Sequence, residues 1–275
     1  MTKTKKGWTK KHMSISIAAA LLLLVVIVLL ILWLRPEEQA AVVIAGNPQT
    51  AVEHPIEINP QMQNMGQAQS AESVKTMQIT GFTDRSFLSS TELGNGLSIV
   101  RSGSYTGSFV EDGSNSPCTE VLSLLVTNHS DSFLEWAEIA IPVGERTAYF
   151  RITSLPAGQS LLVMEKTAMS YDETVTYGAP VLLNTSMPEK EFSLHEQTFS
   201  ISAADHVINL TNMTSQDITG NIAVYYKNVE NGIYIGGITY SRTLQNGVSA
   251  RAVAQFICEY YTVAGSEILF IVYES

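Results

Sequence analysis

The chain has 275 residues and a net charge of −10, and its charges are unevenly divided. The first 35 residues hold six of the 16 Lys and Arg and no acidic residue, so the other 240 hold all 26 acidic residues and carry 10 − 26 = −16. Such an acidic region excludes nucleic acid binding by phosphate neutralisation, because that requires clustered Lys and Arg.

The N-terminal region has the pattern of a membrane anchor. Residues 13–34 form an uncharged segment of 22 residues, unbroken aliphatic from Ile17 to Leu32. As a helix it would span roughly 33 Å, enough to cross a hydrocarbon core of about 30 Å. Five lysines precede it and only Arg35 follows immediately, which places the N-terminus in the cytoplasm. We therefore predict a basic cytoplasmic tail over residues 1–12, a transmembrane helix over 13–34 in the lipid bilayer, and an extracellular C-terminal domain.

A cleaved secretory leader is the alternative for the same segment. The apolar region of a leader usually has about 7–15 residues and ends at a site of small residues. Here the apolar run is longer and ends in the bulky Leu32, Trp33 and Leu34. The length favours an uncleaved signal-anchor, and cleavage stays open.

Residues 36–78 have the composition of a spacer. They contain four prolines and no Phe, Trp or Tyr. Such a segment cannot bury enough apolar surface to offset its ordering entropy, so we predict a disordered stalk. The short run Ala41–Ile44 within it is compatible with a brief strand.

After the stalk, the sequence changes to short β-rich runs separated by turn residues. The pairs Asn95–Gly96 and Asn231–Gly232 predict two-residue hairpin turns, because Asn-Gly suits the positive φ of a type I′ turn. No run of 12 or more residues has a 3.6-residue apolar period. We predict an all-β ectodomain of the β-sandwich class.

The two halves of this region resemble each other. Val126–Ser130 matches Leu210–Thr214 at an offset of 84 residues, and Leu155–Ser160 matches Leu244–Ser249 as a Leu-x-x-Gly-x-Ser turn. An ordered series of such matches indicates duplication. We predict one β-sandwich module over residues 79–170 and a second over 171–275, and leave open whether they are separate domains or one composite sandwich.

The order of features in the second half resembles that of FxLYD-type immunoglobulin-like modules of bacterial surface proteins. The resemblance consists of a turn at Asn212, the strand Ile222–Tyr226, a hairpin at Gly232 and the turn Leu244–Gly247. The Asp that follows Tyr in that family is replaced by Lys227. The resemblance implies tandem immunoglobulin-like modules of a single-pass surface protein of Gram-positive anaerobes, and it brings no activity with it.

One short motif has the spacing of a metal site. Asp112, Ser114 and Ser116 fit the Asp-x-Ser-x-Ser pattern that presents hard oxygen ligands to Mg²⁺, and Glu111 with Asp112 is a looser Ca²⁺ candidate. That pattern requires a helix after it, and here a β-rich run follows. The same residue types form ordinary loops. We treat these residues as weak metal candidates and predict no metal and no cofactor.

Motifs of catalysis are missing from the sequence. His195–Glu196 begins like a zinc protease motif, but Phe199 stands where the second histidine is needed. There is no nucleophile elbow, Ser-x-x-Lys pair or glycine-rich phosphate loop. We predict that the protein is not an enzyme; a carboxylate-dependent surface hydrolase is the less favoured alternative, because such a site leaves no local motif.

The two cysteines, Cys118 and Cys258, both lie in the predicted extracellular part. An oxidising exterior permits a disulfide between them, although one widely separated pair is no disulfide framework. The alternative is two buried free thiols.

Seven of the 11 tyrosines lie after Ile222. Adjacent residues of a strand face opposite ways, so one of Tyr225 and Tyr226 should face outward, and Tyr260–Tyr261 repeats the situation. Tyr226 and Tyr260 are therefore candidates for contact with a protein or glycan ligand. The alternative is that these tyrosines cover the rim of the core.

The sequence as a whole predicts a membrane-anchored extracytoplasmic protein with a non-catalytic interaction or structural role at the cell surface. An accessory role in envelope assembly or secretion, acting through the membrane helix, is the second hypothesis.

Overall fold

Residues 42–44, 77–188 and 192–274 are those that the computed structural model describes. The predicted cytoplasmic tail, the predicted transmembrane helix and most of the predicted stalk lie outside them. Within the described part of the chain, no helix is long and apolar enough to cross a membrane.

Fifteen β-strands make up the regular structure of the described residues, in which there is no helix, so the all-β prediction is confirmed. The strands are β1 (Val42–Ile44), β2 (Phe82–Asp84), β3 (Thr91–Gly94), β4 (Leu97–Phe109), β5 (Ser116–Asn128), β6 (Leu134–Val143), β7 (Arg146–Leu155), β8 (Ser160–Met164), β9 (Val181–Ser186), β10 (Phe199–Ala204), β11 (Val207–Asn212), β12 (Ile222–Glu230), β13 (Ile233–Leu244), β14 (Val253–Ile257) and β15 (Ser266–Tyr273).

The strands form three sheets. The central sheet has eight strands in the order β15-β12-β13-β8-β5-β4-β2, and β3 also pairs with β4. The first outer sheet has the order β7-β6-β9, and the second outer sheet has the order β1-β14-β11-β10.

Each outer sheet packs on the central sheet to make one β-sandwich. In the first sandwich, apolar side chains of β4, β5 and β8 meet those of β6 and β7 in a core that includes Leu124, Ile139 and Phe150. In the second, strands β12, β13 and β15 meet β10, β11 and β14 in a core that includes Val224, Phe199 and Phe256. Alternation along the strands supplies these inward faces, because successive side chains point to opposite sides of a sheet.

The two sandwiches share the central sheet. Strand β13 pairs in parallel with β8, with Tyr234 opposite Leu161 and Ile235 opposite Leu162. Along β12, Tyr226 belongs to the second core, whereas Val229, three residues on, packs against the first core. The outer sheets therefore cover opposite faces of the central sheet, each at its own end.

Two strands lie where the predicted domain boundaries do not place them. Strand β9 follows residue 170, the predicted end of the first module, and it pairs with β6 of the first sandwich. Strand β1 lies within the predicted stalk, where the sequence is compatible with a brief strand, and it pairs antiparallel with β14. All fifteen strands belong to one compact unit.

The same asparagine network closes both sandwiches. The Asn128 amide donates to the carbonyls of Ser132, Leu155 and Pro156, and its oxygen accepts from the backbone and hydroxyl of Ser130.

In the second sandwich the Asn212 amide donates to the carbonyls of Gln216, Val248 and Ser249, and its oxygen accepts from the backbone and hydroxyl of Thr214. Asn128 and Asn212 are both fully buried. This atom-by-atom repetition supports duplication at the offset of 84 residues.

The expected match of Leu155–Ser160 with Leu244–Ser249 is wrong in register. The backbone N–H of Asn128 donates to Gln159, and that of Asn212 donates to Ala252, which aligns the segment after β7 with Val248–Val253 instead. The left-handed turn position is Gly158 (φ 70°) in the first sandwich and Arg251 (φ 59°) in the second. Because the second copy has no glycine there, a sequence match centred on glycine chose Gly247.

Candidate functional site

The loop between β4 and β5 contains most of the polar residues that the sequence singles out. Asp112 Oδ1 accepts the backbone N–H of Ser114 at 2.9 Å, and Ser114 Oγ accepts that of Ser116 at 3.1 Å. The hydrogen bond from Ser114 lowers the pKa of the Asp112 carboxyl. The Asp-x-Ser-x-Ser pattern thus closes a loop, the ordinary use of these residue types.

The described residues contain no group of three or more His, Cys, Asp or Glu that could hold a metal ion. Asp112 and Ser114 are exposed, and each uses an oxygen within the loop.

Glu111, which begins the same loop, turns away from it and joins the two sandwiches. Its carboxylate accepts the backbone N–H of Met164 at 2.8 Å and that of Gly237 at 2.9 Å to each oxygen. Met164 ends β8, whereas Gly237 lies in β13 of the second sandwich. Burial raises the pKa of the Glu111 carboxyl despite these bonds, which act in the opposite direction.

Lys227 is the counterpart on β12, and it is fully buried. Its ammonium donates to the carbonyls of Gly236, Gly237 and Ile238 at 3.2, 3.1 and 2.6 Å. Burial lowers the pKa of Lys227, and the charge of Glu111 opposes that shift. A buried ammonium is tolerated here because all three of its donor positions are used.

A wide bulge in β13 creates this arrangement. Tyr226 pairs with Tyr240 and Asn228 with Ile235, so four residues of β13, 236–239, face Lys227 alone. Gly236 has a φ of 89°, and a Cβ on Gly237 would overlap the carbonyl oxygen of Arg151. Both positions therefore require glycine. Thr153 of β7 holds the bulge from the other side, donating to the Gly237 carbonyl at 2.9 Å.

The tyrosines of the second sandwich gather next to the β4–β5 loop. The ring of Tyr240 stacks on Tyr226 with centroids 5.3 Å apart and lies 5.5 Å from the ring of Tyr260. Its hydroxyl donates to Asn115 Oδ1 at 3.1 Å. Burial, with the nearby Tyr260, Glu111 and Asp112, raises the pKa of Tyr240 to about 12. Asp112, Tyr226 and Tyr260, three residues chosen from separate parts of the sequence, thus converge around Tyr240.

The two candidate aromatic anchors differ in exposure. Tyr226 is 1% exposed and is a core side chain, so only Tyr260, which is half-buried, is available to a partner. Tyr225 faces the other side of the sheet and stacks on Phe270 at 4.4 Å, within a cluster that also includes Phe192 and Phe133.

One polar atom in this region has no partner. The amide nitrogen of Asn115 is buried and makes no hydrogen bond within the described residues. Asn115 also has a φ of 52°, a left-handed conformation that asparagine tolerates better than most residues. A native buried donor without a partner is rare and points to a missing partner or to strain.

Cys118 and Cys258 are both free thiols in the described structure. Cys258 belongs to the second core, whereas Cys118 packs at the edge of a separate cluster on the central sheet. Burial raises the pKa of Cys258 to about 12 and also raises that of Cys118. Both positions thus have the character of small apolar side chains.

The largest groove among those identified lies away from these residues, beside the loop that follows β8. It has a volume of about 880 Å³ and is lined by Arg85, Arg146, Tyr171 and the acidic Glu120, Asp172 and Glu173. Arg85 forms an ion pair with Glu120 and lies over the ring of Tyr171. Both signs of charge occur in the groove, so it selects no class of charged ligand.

Sequence reasoning missed Glu111 and Lys227 as a pair. The available signals were a lysine inside an otherwise apolar strand and the Gly236–Gly237 pair inside the next strand, since glycine within a strand marks a bulge or a close backbone approach. Neither signal names a partner 116 residues away, and only the fold brings Glu111 to Lys227.

No family model, no curated protein and no solved structure matches this chain.

Proposed function

We propose that this chain is a single-pass, membrane-anchored protein that presents two immunoglobulin-like β-sandwiches of FxLYD type outside the cell, as a non-catalytic interaction module. The uncharged segment 13–34, with five lysines before it, supports the anchor and the orientation. The −16 charge beyond Arg35 suits an exposed, soluble domain.

The observation that carries the proposal is the way the two sandwiches are joined. They share one sheet through the β8–β13 pair, and Glu111 of the first accepts the Gly237 N–H of the second. The polar side chains at the junction are thereby used to hold two binding-size β modules in a fixed relation. A rigid pair of modules presents a surface to a partner without the cost of ordering a linker.

The use of the acidic side chains agrees with a role other than hydrolysis. Glu165 is buried and accepts four hydrogen bonds, from the backbones of Tyr149, Thr167 and Met169 and the hydroxyl of Thr167. Glu111 is similarly occupied by backbone N–H groups. Carboxylates held in this way stabilise loops and have no lone pair directed at a substrate.

Orientation is tested with the full chain in intact cells by labelling with a membrane-impermeant maleimide. In a Cys118→Ser background, where the remaining Cys258 is buried, Ser215→Cys should be labelled from outside and Thr4→Cys only after the membrane is opened. Labelling of Thr4→Cys in intact cells would contradict the orientation.

The interaction role is tested by placing a photo-crosslinking residue at exposed positions of the same anchored chain: Leu183, Ser215, Val263 and Val272. We expect a discrete crosslinked product from at least one position, and none from the buried position Phe256. Absence of any product at all four exposed positions would remove the support for a partner.

A further inference from the structure

The polar groups around Tyr240 have hydrogen-bonding capacity that the protein does not use. The Asn115 amide nitrogen has no partner within the described residues. Asp112 accepts from Ser114 of its own loop and is exposed, and a carboxylate has about four acceptor sites. The Tyr260 side chain contacts Tyr240 through its ring, and its hydroxyl makes no hydrogen bond within the described residues. We call Asp112, Asn115, Tyr240 and Tyr260 the junction rim.

The junction rim exists only because the sandwiches are joined. Asp112 and Asn115 come from the β4–β5 loop of the first sandwich, whereas Tyr240 and Tyr260 come from β13 and the loop after β14 of the second. The Tyr240–Asn115 hydrogen bond of 3.1 Å fixes one half against the other at this point. Interfaces between modules are a preferred place for binding sites.

The chemistry of the unused groups defines what would satisfy them. Asn115 offers a donor and so requires an acceptor, which excludes a purely cationic ligand. Asp112 offers an acceptor and so requires a donor. The half-buried Tyr260 ring offers an apolar face on which a flat, weakly polar surface can stack. A hydroxyl group is both donor and acceptor, and a sugar ring presents several hydroxyls at its edge with an apolar C–H face between them.

Electrostatics select among sugars. Glu111 and Asp112 are adjacent, and both act on Tyr240, so the field at the rim is negative when they are ionised. A uronic acid or a phosphorylated sugar would be repelled. From these observations we propose that the junction rim binds one ring of a neutral carbohydrate chain, stacked on Tyr260, with its hydroxyls between Asn115 and Asp112. This inference rests on the proposed interaction role and names its ligand class.

The test uses the full chain in lipid nanodiscs and isothermal titration calorimetry. The probes are cellotetraose, chitotetraose, maltotetraose and mannotetraose, with a hyaluronan tetrasaccharide as the anionic comparison. We expect at least one neutral tetrasaccharide to bind and the anionic one not to bind. Binding by none of the neutral probes, or by the anionic probe alone, would overturn the proposal.

Variants then locate the site. Tyr260→Ala should weaken binding about tenfold and Tyr260→Phe only about threefold, because the ring is retained. Asn115→Ala should also weaken binding about tenfold through loss of the donor. The matched control is Tyr149→Ala, which removes a half-buried tyrosine of the first outer sheet and should leave binding unchanged. Equal weakening by Tyr149→Ala, or none by Tyr260→Ala, would show that the sugar binds elsewhere.

The thermal unfolding midpoint of each variant separates loss of the site from loss of the fold. Failure of this proposal is distinct from failure of the interaction role. If no sugar binds but photo-crosslinking at exposed positions yields a product, the junction rim is not a carbohydrate site and the partner is of another class.

Discussion

Lys227 and Glu111 bind the two ends of one peptide group. The Gly236 carbonyl accepts from the Lys227 ammonium at 3.2 Å, and the Gly237 N–H of the same peptide group donates to the Glu111 carboxylate at 2.9 Å. The peptide group lies in the bulge of β13, so the two charges interact through the backbone that joins the sandwiches. Each charge satisfies polar backbone atoms that the bulge has removed from the ladder.

Breaking this pair from one side should destabilise the protein strongly. Lys227→Met leaves the Gly236 and Ile238 carbonyls and the Glu111 charge without their cation, and we expect a loss of about 3–5 kcal/mol in the free energy of unfolding. Urea denaturation of the full chain in detergent, followed by Trp136 fluorescence, measures it. Lys166→Met, which removes a partly exposed ion pair with Glu138, is the control and should cost about 0.5 kcal/mol.

The double variant Glu111→Gln with Lys227→Met should lose less stability than the sum of the two single variants, by about 1 kcal/mol or more. Additive losses would mean that the two side chains act independently and that the pair is no unit.

The pair should also shape the dependence of stability on pH. Burial raises the pKa of Glu111 from 4.5 to about 7 and lowers that of Lys227 from 10.5 to about 7. Between pH 4.5 and 7 the folded chain holds a proton on Glu111 that the unfolded chain has lost, so this contribution falls as pH rises. Between pH 7 and 10.5 the unfolded chain holds a proton on Lys227 that the folded chain lacks, so stability rises with pH.

The contribution of the pair therefore has its minimum near pH 7. Denaturation midpoints at about pH 5, 7 and 9 should show a dip near pH 7 that is absent from the double variant. An identical pH profile for both proteins would contradict the assignment of this dip to Glu111 and Lys227.

Adding one methyl group at Gly237 should have a disproportionate effect. The new Cβ would overlap the Arg151 carbonyl oxygen, a backbone atom that cannot move without displacing β7. We expect Gly237→Ala to cost about 3 kcal/mol or more in the free energy of unfolding. Gly94→Ala is the control, because Gly94 has open space around it and a φ of 96°, so it reports the cost of positive φ alone, about 1 kcal/mol. Equal effects at the two positions would indicate that the junction can separate.

The repeated asparagine network predicts matched effects in the two halves. Asn128→Ala and Asn212→Ala each leave three carbonyls without their amide donor, and we expect each to lose about 3 kcal/mol of unfolding free energy. Asn209→Ala, close to Asn212 in β11 and bonded to the side chain of Gln255, should cost less than about 1 kcal/mol. Unequal losses at the first two positions would show that the networks are similar in geometry and different in energy.

The thiols provide a further check. We expect the native full chain to migrate identically with and without reductant on a denaturing gel. An uncharged maleimide should modify Cys118 slowly and Cys258 only after unfolding, because burial raises the pKa of both thiols and Cys258 is inaccessible. A reductant-dependent shift of the monomer would instead establish the Cys118–Cys258 disulfide.

Local signals in the sequence determined much of the fold. At Asn95–Gly96 and Asn231–Gly232 all four residues have positive φ, as expected for type I′ hairpin turns. Alternating apolar residues identified the strands, since burial of one sheet face is a local property of the sequence. The pairing of β8 with β13 has no such local signal, because parallel neighbours are distant in the chain and their contact depends on both sandwiches being formed.

The candidate site divides in the same way. The turn chemistry of Asp112 and Ser114 could be read from residue types, whereas the burial of Tyr226 and Lys227 could not, because it depends on which face of β12 the first sandwich covers. The register of the second repeat was misread for a related reason: Arg251 adopts the left-handed turn position for which glycine is the expected residue.

The shared central sheet means that neither half is a transferable cassette. Dividing the chain between β9 and β10 would expose the edge of β8 in one fragment and that of β13 in the other, each a row of unpaired backbone groups. The same cut would leave Lys227 buried without Glu111. Lengthening such a protein by further duplication therefore requires each new copy to bring a strand edge, a glycine bulge and a lysine together. The number of repeats is thus set by the chemistry of the joint.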